Sequence, residues 1–279
     1  MRGKAFKLLD DIRYCTTKLT VETTDGDLNI GTGFFFDFNN PPNNPLLITN
    51  KHVVEDWKTI SLRLNKADAQ KKPLLGDTIE ITLENKPGVK WLEHPDTDLC
   101  AILVRPKFDL ILFQGQQFFF RILNTQHLPA EWEKEYIGPI EKVLMIGYPD
   151  GLEDTVHNLP LVRKGITATD FQLDYNGKKE FVIDAPIFSG SSGSPVFLCN
   201  MGGYSDQNGK WQFRSRLNLL GVLRDSGLSG MQNIYKRNKN GEYGKDLKMA
   251  STIVNNLGYC VKAECLLWFK EAIAKAGWR

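Results

Sequence analysis

The chain has 279 residues, 42% of them hydrophobic and 24% charged, with a formal net charge of +2. Those proportions exclude a disordered chain and allow one large domain or two small ones with a well-buried core. No dense Lys/Arg stripe with interleaved aromatics is present, so no nucleic-acid partner is expected, and YKRNKNGEYGKDLK (Tyr235–Lys248) reads as a solvated loop.

At the N-terminus, KAFKLLDDI (Lys4–Ile12) predicts a short helix. Asp10, Asp11 and Arg13 break its apolar run, which argues against a secretory signal. No apolar stretch is long enough to span a bilayer, so the chain is read as cytoplasmic with no membrane partner. Short strand-like runs then dominate. In the first half they include LTVETTDGDLNIGTGFFFDF, PLLITNKHVV, TISLRLN, DTIEITL and LCAILV. After Pro106–Pro139, an irregular stretch containing FQGQQFFF that reads as a connection between two β halves, come KVLMIGY, LPLVRKGITAT, FQLDYNGKKEFVIDAPIF, PVFLC, WQFRSRLNLLGVL and LGYCVKA. Clusters of Gly, Asn, Asp and Pro punctuate them, and no alternating βα rhythm appears, so the pattern predicts an all-β sandwich or barrel. ECLLWFKEAIAKA (Glu264–Ala276) repeats apolar residues three and four apart and predicts a closing helix. The five cysteines are odd in number and scattered, with no CxxC, so neither a disulfide framework nor a metal site is expected. Cys100 and Cys199, inside apolar runs, read as small core residues.

One segment does not fit a plain strand or loop. FSGSSGSPVF (Phe188–Phe197) sets Ser189, Ser191, Ser192 and Ser194 between two apolar runs. A hydroxyl is a poor nucleophile at neutral pH and needs a base, an orienting acid and donors for an oxyanion. Of the four histidines, His52, His94, His127 and His157, the first follows the apolar strand LLIT, where a strand end can present an imidazole at a cleft. Asp98 stands directly before the apolar run LCAILV; alone it could be a turn cap, and Asp96 is a close rival. Gly190 and Gly193 permit a tight turn whose consecutive N–H groups point at one spot, with Ser192 at its centre. The chain order His, Asp, Ser is that of one triad lineage among several unrelated ones.

GTGFFF, LLITNKHVV, DTDLCAILV, GSSGSPVF and LNLLGVL resemble, in order, the landmarks of trypsin-like (chymotrypsin-fold) serine peptidases, closest to the bacterial HtrA-like and glutamyl endopeptidase branches. KVLMIGYP, VRKGITA and DAPIFSGSSGSPV add to the likeness, which covers roughly Thr20–Phe269. The resemblance implies a mainly β fold of two six-stranded antiparallel barrels with short N-terminal and C-terminal helices. It divides the chain into a helical extension (1–19), a first barrel carrying His and Asp (20–105), a connection (106–138), a second barrel carrying Ser and the oxyanion hole (139–262) and a C-terminal helix (263–279). The family pattern Gly-x-Ser-Gly-Gly/Ser-Pro selects Gly190, Ser191, Ser192, Gly193, Ser194 and Pro195. It therefore implies Ser192 as nucleophile, His52 as general base, Asp98 as its orienting acid, and the backbone N–H groups of Gly190 and Ser192 as oxyanion donors. Peptide bonds are the implied substrate, through an acyl-enzyme, with no metal or organic cofactor.

The departures from the family bear on specificity and control. The zymogen-type Asp before the nucleophile is replaced by Ser191, and the trypsin-type acidic residue six positions before it by Pro186. The histidine that glutamyl endopeptidases place two residues beyond a glycine is replaced by Leu223, after Gly221. Pro186, Gly221 and Leu223 are thus the expected pocket residues of an apolar or small site, with Arg224 and Asp225 at its rim. No PDZ-like stretch follows the peptidase-like region, and a regulatory protein partner or an inactive resting loop is expected to restrain activity. Two rivals are a catalytically silent trypsin-like fold serving as a binding module and an esterase using the same triad. The α/β-hydrolase route is disfavoured, since GSSGS lacks the Gly-x-Ser-x-Gly elbow.

Overall fold

The computed structural model describes residues 10–39, 43–206, 208–229, 236–237, 243–244 and 253–278. Period-two alternation along β1 (Thr16–Thr23) buries Leu19 and Val21 and leaves Lys18, Thr20 and Glu22 at the surface. Strands β3 (Leu46–Thr49) and β7 (Cys100–Leu103), and β2 (Leu28–Asp37) from Gly31 onward, are instead buried at every position. The reason is that both of their faces are covered. Phe35, Leu47 and Ile102 point into the core of the first half, with Ile60, Leu62 and Trp57 of β4 (Trp57–Ala67). Phe34, Phe36, Ile48 and Ala101 point the other way, against Phe197, Leu219, Val222 and the C-terminal Phe269. These three strands are the wall shared by the two halves.

β5 (Pro73–Glu84), β6 (Trp91–Glu93), β8 (Phe118–Phe119) and β9 (Leu123–Asn124) complete a nine-stranded sheet with the path β5-β4-β1-β2-β3-β7-β6, β8 pairing with β4 and β9 with β2. The first half is therefore an open sheet and not the closed six-stranded barrel that the resemblance implies. Its terminal strands β5 and β6 do not pair. The turn between them holds Pro87 and Gly88, the latter with φ +96°. The helix Arg105–Phe113 packs Phe108 and Ile111 into the same core, and the seam keeps a cavity of about 270 Å³ lined by Leu83, Val89, Ile102 and Leu110.

The second half does close. Strands β10 (Lys142–Gly147), β11 (Leu161–Thr167), β12 (Glu180–Asp184), β13 (Pro195–Asn200), β16 (Arg216–Ser229) and β19 (Ile253–Lys262) form a six-stranded antiparallel barrel in the order β10-β11-β12-β19-β16-β13, with β10 and β13 paired. Phe181, Ile183, Val196, Leu220, Leu223 and Cys260 fill it. Two short hairpins stand outside it, β14 (Tyr204–Ser205) with β15 (Trp211–Gln212) and β17 (Lys236–Arg237) with β18 (Tyr243–Gly244). Apart from β17 and β18, Tyr235–Lys248 lies outside the described residues, so the solvated-loop reading does too.

Two boundaries move. Of the expected N-terminal helix only Asp10–Ile12 lie among the described residues, where they are helical, and β1 begins at Thr16 inside the stretch assigned to the extension. The expected connection, 106–138, is partly built into the first sheet as β8 and β9, because Phe118 has an apolar core to enter. After β19 a 3-10 turn, Ala263–Leu266, leads to the helix Leu267–Lys275, whose Phe269 is fully buried. Among the described residues no helix is long and apolar enough to cross a membrane.

Candidate active site

His52 stands in the turn after β3. Val53 and Val54 are buried in the first-half core and fix the turn, while the imidazole stays 47% exposed. Asp98, just before β7, meets it twice: Oδ2 lies 2.6 Å from His52 Nδ1, and Oδ1 accepts the His52 backbone N–H at 3.2 Å. Asn50 Nδ2 donates to the Asp98 carbonyl at 2.7 Å and locks the two turns together. With Nδ1–H facing a carboxylate, Nε2 is left as the basic nitrogen. The Asp96 carboxylate makes no hydrogen bond to His52; its backbone N–H donates to His94 Nδ1 at 3.2 Å. Of the two rival carboxylates, it is that of Asp98 which meets His52.

The other histidines have local partners. His94 is buried against Trp268 and Phe269, and its Nδ1 accepts the N–H groups of Asp96 and Thr97. Burial pushes its pKa down. His127 closes a capping arrangement with Asn124, and burial lowers its pKa as well. His157 pairs with Asp154 at 2.7 Å.

The serine loop leads into β13, held by contacts on three sides. Gly190 and Gly193 have φ +78° and +88°, a left-handed backbone that an L side chain resists. At Gly193 the space is closed too, since a Cβ would collide with the Thr32 carbonyl and reach the Thr49 hydroxyl at the end of β3. The Ser189 carbonyl accepts from Asp150 N–H at 2.5 Å, and the Ser192 carbonyl from Thr32 N–H at 2.8 Å. Gly193 N–H donates to Leu223 O at 2.8 Å, and Leu223 N–H to Ser194 O at 2.9 Å. The amides of Gly190 and Ser192 donate to no group of the protein among the described residues. Ser191 and Ser194 are fully buried, whereas Ser192 is partly open. No hydrogen bond joins His52 to the Ser192 hydroxyl.

Thr32 is the residue that sequence reasoning missed. It lies on β2, is fully buried, donates its hydroxyl to the Gly190 carbonyl at 2.9 Å and accepts Tyr148 N–H at 3.1 Å. Its own carbonyl accepts the Thr49 hydroxyl at 2.8 Å. The signal was a lone hydroxyl between two glycines ahead of a triple-Phe run (GTGFFF), a polar group with no reason to be buried unless something binds it.

The three expected pocket residues differ in exposure. Pro186 is exposed, its carbonyl taking Arg163 Nη1 at 2.7 Å, while Gly221 and Leu223 are buried in the barrel. Leu223 packs with Ile183 and Ile187 in the core, and its backbone, not its side chain, touches the serine loop. Arg224 pairs with Glu180 at 3.1 Å, and Asp225 is exposed. The open space beside His52 is a cleft of about 440 Å³ that includes Lys51, Glu55, Trp91, Glu93 and Asp98.

Residues 31–202 match the family model of the trypsin-like peptidase domain. The chain belongs to that family. Among solved structures, this trypsin-like peptidase is similar to the HtrA-type protease AlgW with tripeptide, at a TM-score of 0.51 and 14% sequence identity, covering 99% of this chain and 65% of that one. It is also similar to a serine endoprotease from Yersinia pestis, at a TM-score of 0.48 and 14% identity, covering 99% of this chain and 69% of that one. The trypsin-like peptidase thus spans 65% of the length of the AlgW chain, and at such identity the likeness concerns fold. No curated protein matches the sequence.

Proposed function

We propose that this trypsin-like peptidase is a serine endopeptidase in which Ser192 is the nucleophile, His52 the general base and Asp98 the orienting acid. The observation that carries this reading is the 2.6 Å His52–Asp98 contact, combined with a partly open Ser192 whose own amide and that of Gly190 have no protein partner. In this mechanism His52 Nε2 takes the Ser192 proton as Oγ attacks the scissile carbonyl carbon. The amides of Gly190 and Ser192 receive the developing oxyanion, and Asp98 stabilises the imidazolium. The imidazolium then protonates the leaving amine, the C–N bond breaks and an acyl-enzyme remains. Water, deprotonated by His52, attacks the ester and frees Ser192. The first half of the chain supplies base and acid and the second supplies the nucleophile, so the halves must stay in register for catalysis. The AlgW structure, described with a tripeptide, supports polypeptide as the substrate class.

A second reading, a silent scaffold or an enzyme at rest awaiting a regulatory partner, is favoured by one feature: the missing hydrogen bond between His52 and Ser192. Such bonds are often loose before substrate arrives. Fluorophosphonate labelling of the natural protein, Ser192→Ala and Ser194→Ala separates the readings. Labelling that survives Ser194→Ala and disappears with Ser192→Ala is expected. A natural protein that never labels overturns the active reading.

A further inference from the structure

The turn after β10, Pro149–Asn158, touches both halves of the chain. At its start, Asp150 N–H donates to the Ser189 carbonyl, and a Cβ on Gly190 would lie 2.7 Å from Tyr148 O and 3.2 Å from Gly151 N. This backbone is pressed against the loop that carries Ser192. Three residues on, the Glu153 side chain is 3% exposed, and its Oε1 takes Lys18 Nζ of β1 at 2.5 Å and Arg63 Nη2 of β4 at 2.6 Å. At its end, Asn158 Oδ1 accepts Arg63 Nε at 3.0 Å, and Asn65 Nδ2 donates to the His157 carbonyl at 3.1 Å.

Apolar burial does not hold the middle of this turn. Beyond the buried Tyr148 and Pro149, its large apolar residues face solvent, Leu152 at 59% exposure and Val156 at 68%. The anchor is a buried carboxylate between two cations. A buried ion pair contributes little net stability compared with apolar packing, but losing one partner leaves an uncompensated buried charge. Its directional contacts fix where the turn sits, and so where the Asp150 N–H meets Ser189.

We infer that Glu153 is a positioning residue of the nucleophile loop, latching the Pro149–Asn158 turn to the first sheet so that the Ser189–Ser192 backbone keeps its shape. The role of that loop rests on the serine-peptidase reading above; the latch is a matter of loop geometry and is tested without catalysis. Amide hydrogen exchange is measured on the full chain for the natural protein, Glu153→Gln and Lys18→Met, with Glu264→Gln as control. The control removes an ion pair with Lys134 and Lys179 elsewhere on the molecule. Glu153→Gln is expected to lower protection of peptides covering 186–194 by about tenfold or more while the β12–β19 ladder stays protected. Lys18→Met, which leaves the Arg63 contact, should give a smaller loss and keeps the test usable if Glu153→Gln fails to fold. Glu264→Gln should leave 186–194 unchanged. The fluorophosphonate labelling rate of Glu153→Gln should fall in parallel, by about tenfold, without loss of folded protein. Unchanged protection of 186–194 in folded Glu153→Gln or Lys18→Met overturns the latch. Altered protection in a protein that never labels keeps the latch and overturns the peptidase reading.

Discussion

Replacing Thr32 with valine tests whether the first sheet sets the shape of the serine loop. Valine keeps the β-branched volume and removes one hydroxyl. That hydroxyl serves two buried backbone groups, the Gly190 carbonyl at 2.9 Å and the Tyr148 N–H at 3.1 Å, and Thr32 is fully buried, so water cannot replace it. Each orphaned group costs about 1–3 kcal/mol, so the substitution should destabilise the protein by roughly 2–6 kcal/mol. For a chain of this size that is a fall in Tm of about 3–10 °C. The Gly190 carbonyl also loses its restraint at a glycine with φ +78°, where the backbone has most freedom. The fluorophosphonate labelling rate of the folded fraction should therefore drop by about tenfold or more, because the loop that carries Ser192 is held less firmly. Thermal unfolding and labelling are run side by side, with Thr32→Ser as the variant that keeps the hydroxyl and should stay near the natural protein. A Thr32→Val protein with natural Tm and natural labelling rate would refute the reasoning.

Asp98→Asn should keep the fold and lower turnover by a factor on the order of 10⁴, because the amide favours the wrong imidazole tautomer; burst-titrated kcat checks it, and a loss under tenfold counts against Asp98. Gly193→Ala meets both a positive φ and the Thr32 carbonyl, so it should yield protein that neither labels nor melts cooperatively, read by labelling and near-UV circular dichroism. Asp174 is held below the usual carboxylate range first by the hydrogen bond from buried Lys262 at 2.7 Å and then by Lys179. A depressed folded pKa means that its stabilisation is present above the ordinary carboxylate value of about 4 and is lost as pH falls through the lower folded value. Asp174→Asn should therefore lower Tm at pH 7, by the equivalent of about 2 kcal/mol because the carboxylate is 32% exposed, and the gap to the natural protein should narrow only as pH falls below about 4.

Much of this protein was legible as a string. Strand-like runs between clusters of Gly, Asn, Asp and Pro marked most of the strands, and the segments holding His52, Asp98 and Ser192 could be read off in chain order. Those signals are local, or are matters of order, and need no knowledge of partners. What only the tertiary structure decided depends on contacts between residues far apart. It separated Asp98 from Asp96, which two positions in a turn could not. It turned Leu223 into barrel packing with its backbone on the serine loop. It left β5 and β6 unpaired at the two ends of the first sheet, because closure depends on whether strands far apart in the sheet's order meet. It also made Thr32 and Glu153 matter, through partners 158 residues away at Gly190 and 135 residues away at Lys18. A sequence pattern reports which face of an element is buried, but the group it meets there is set by how the whole chain packs.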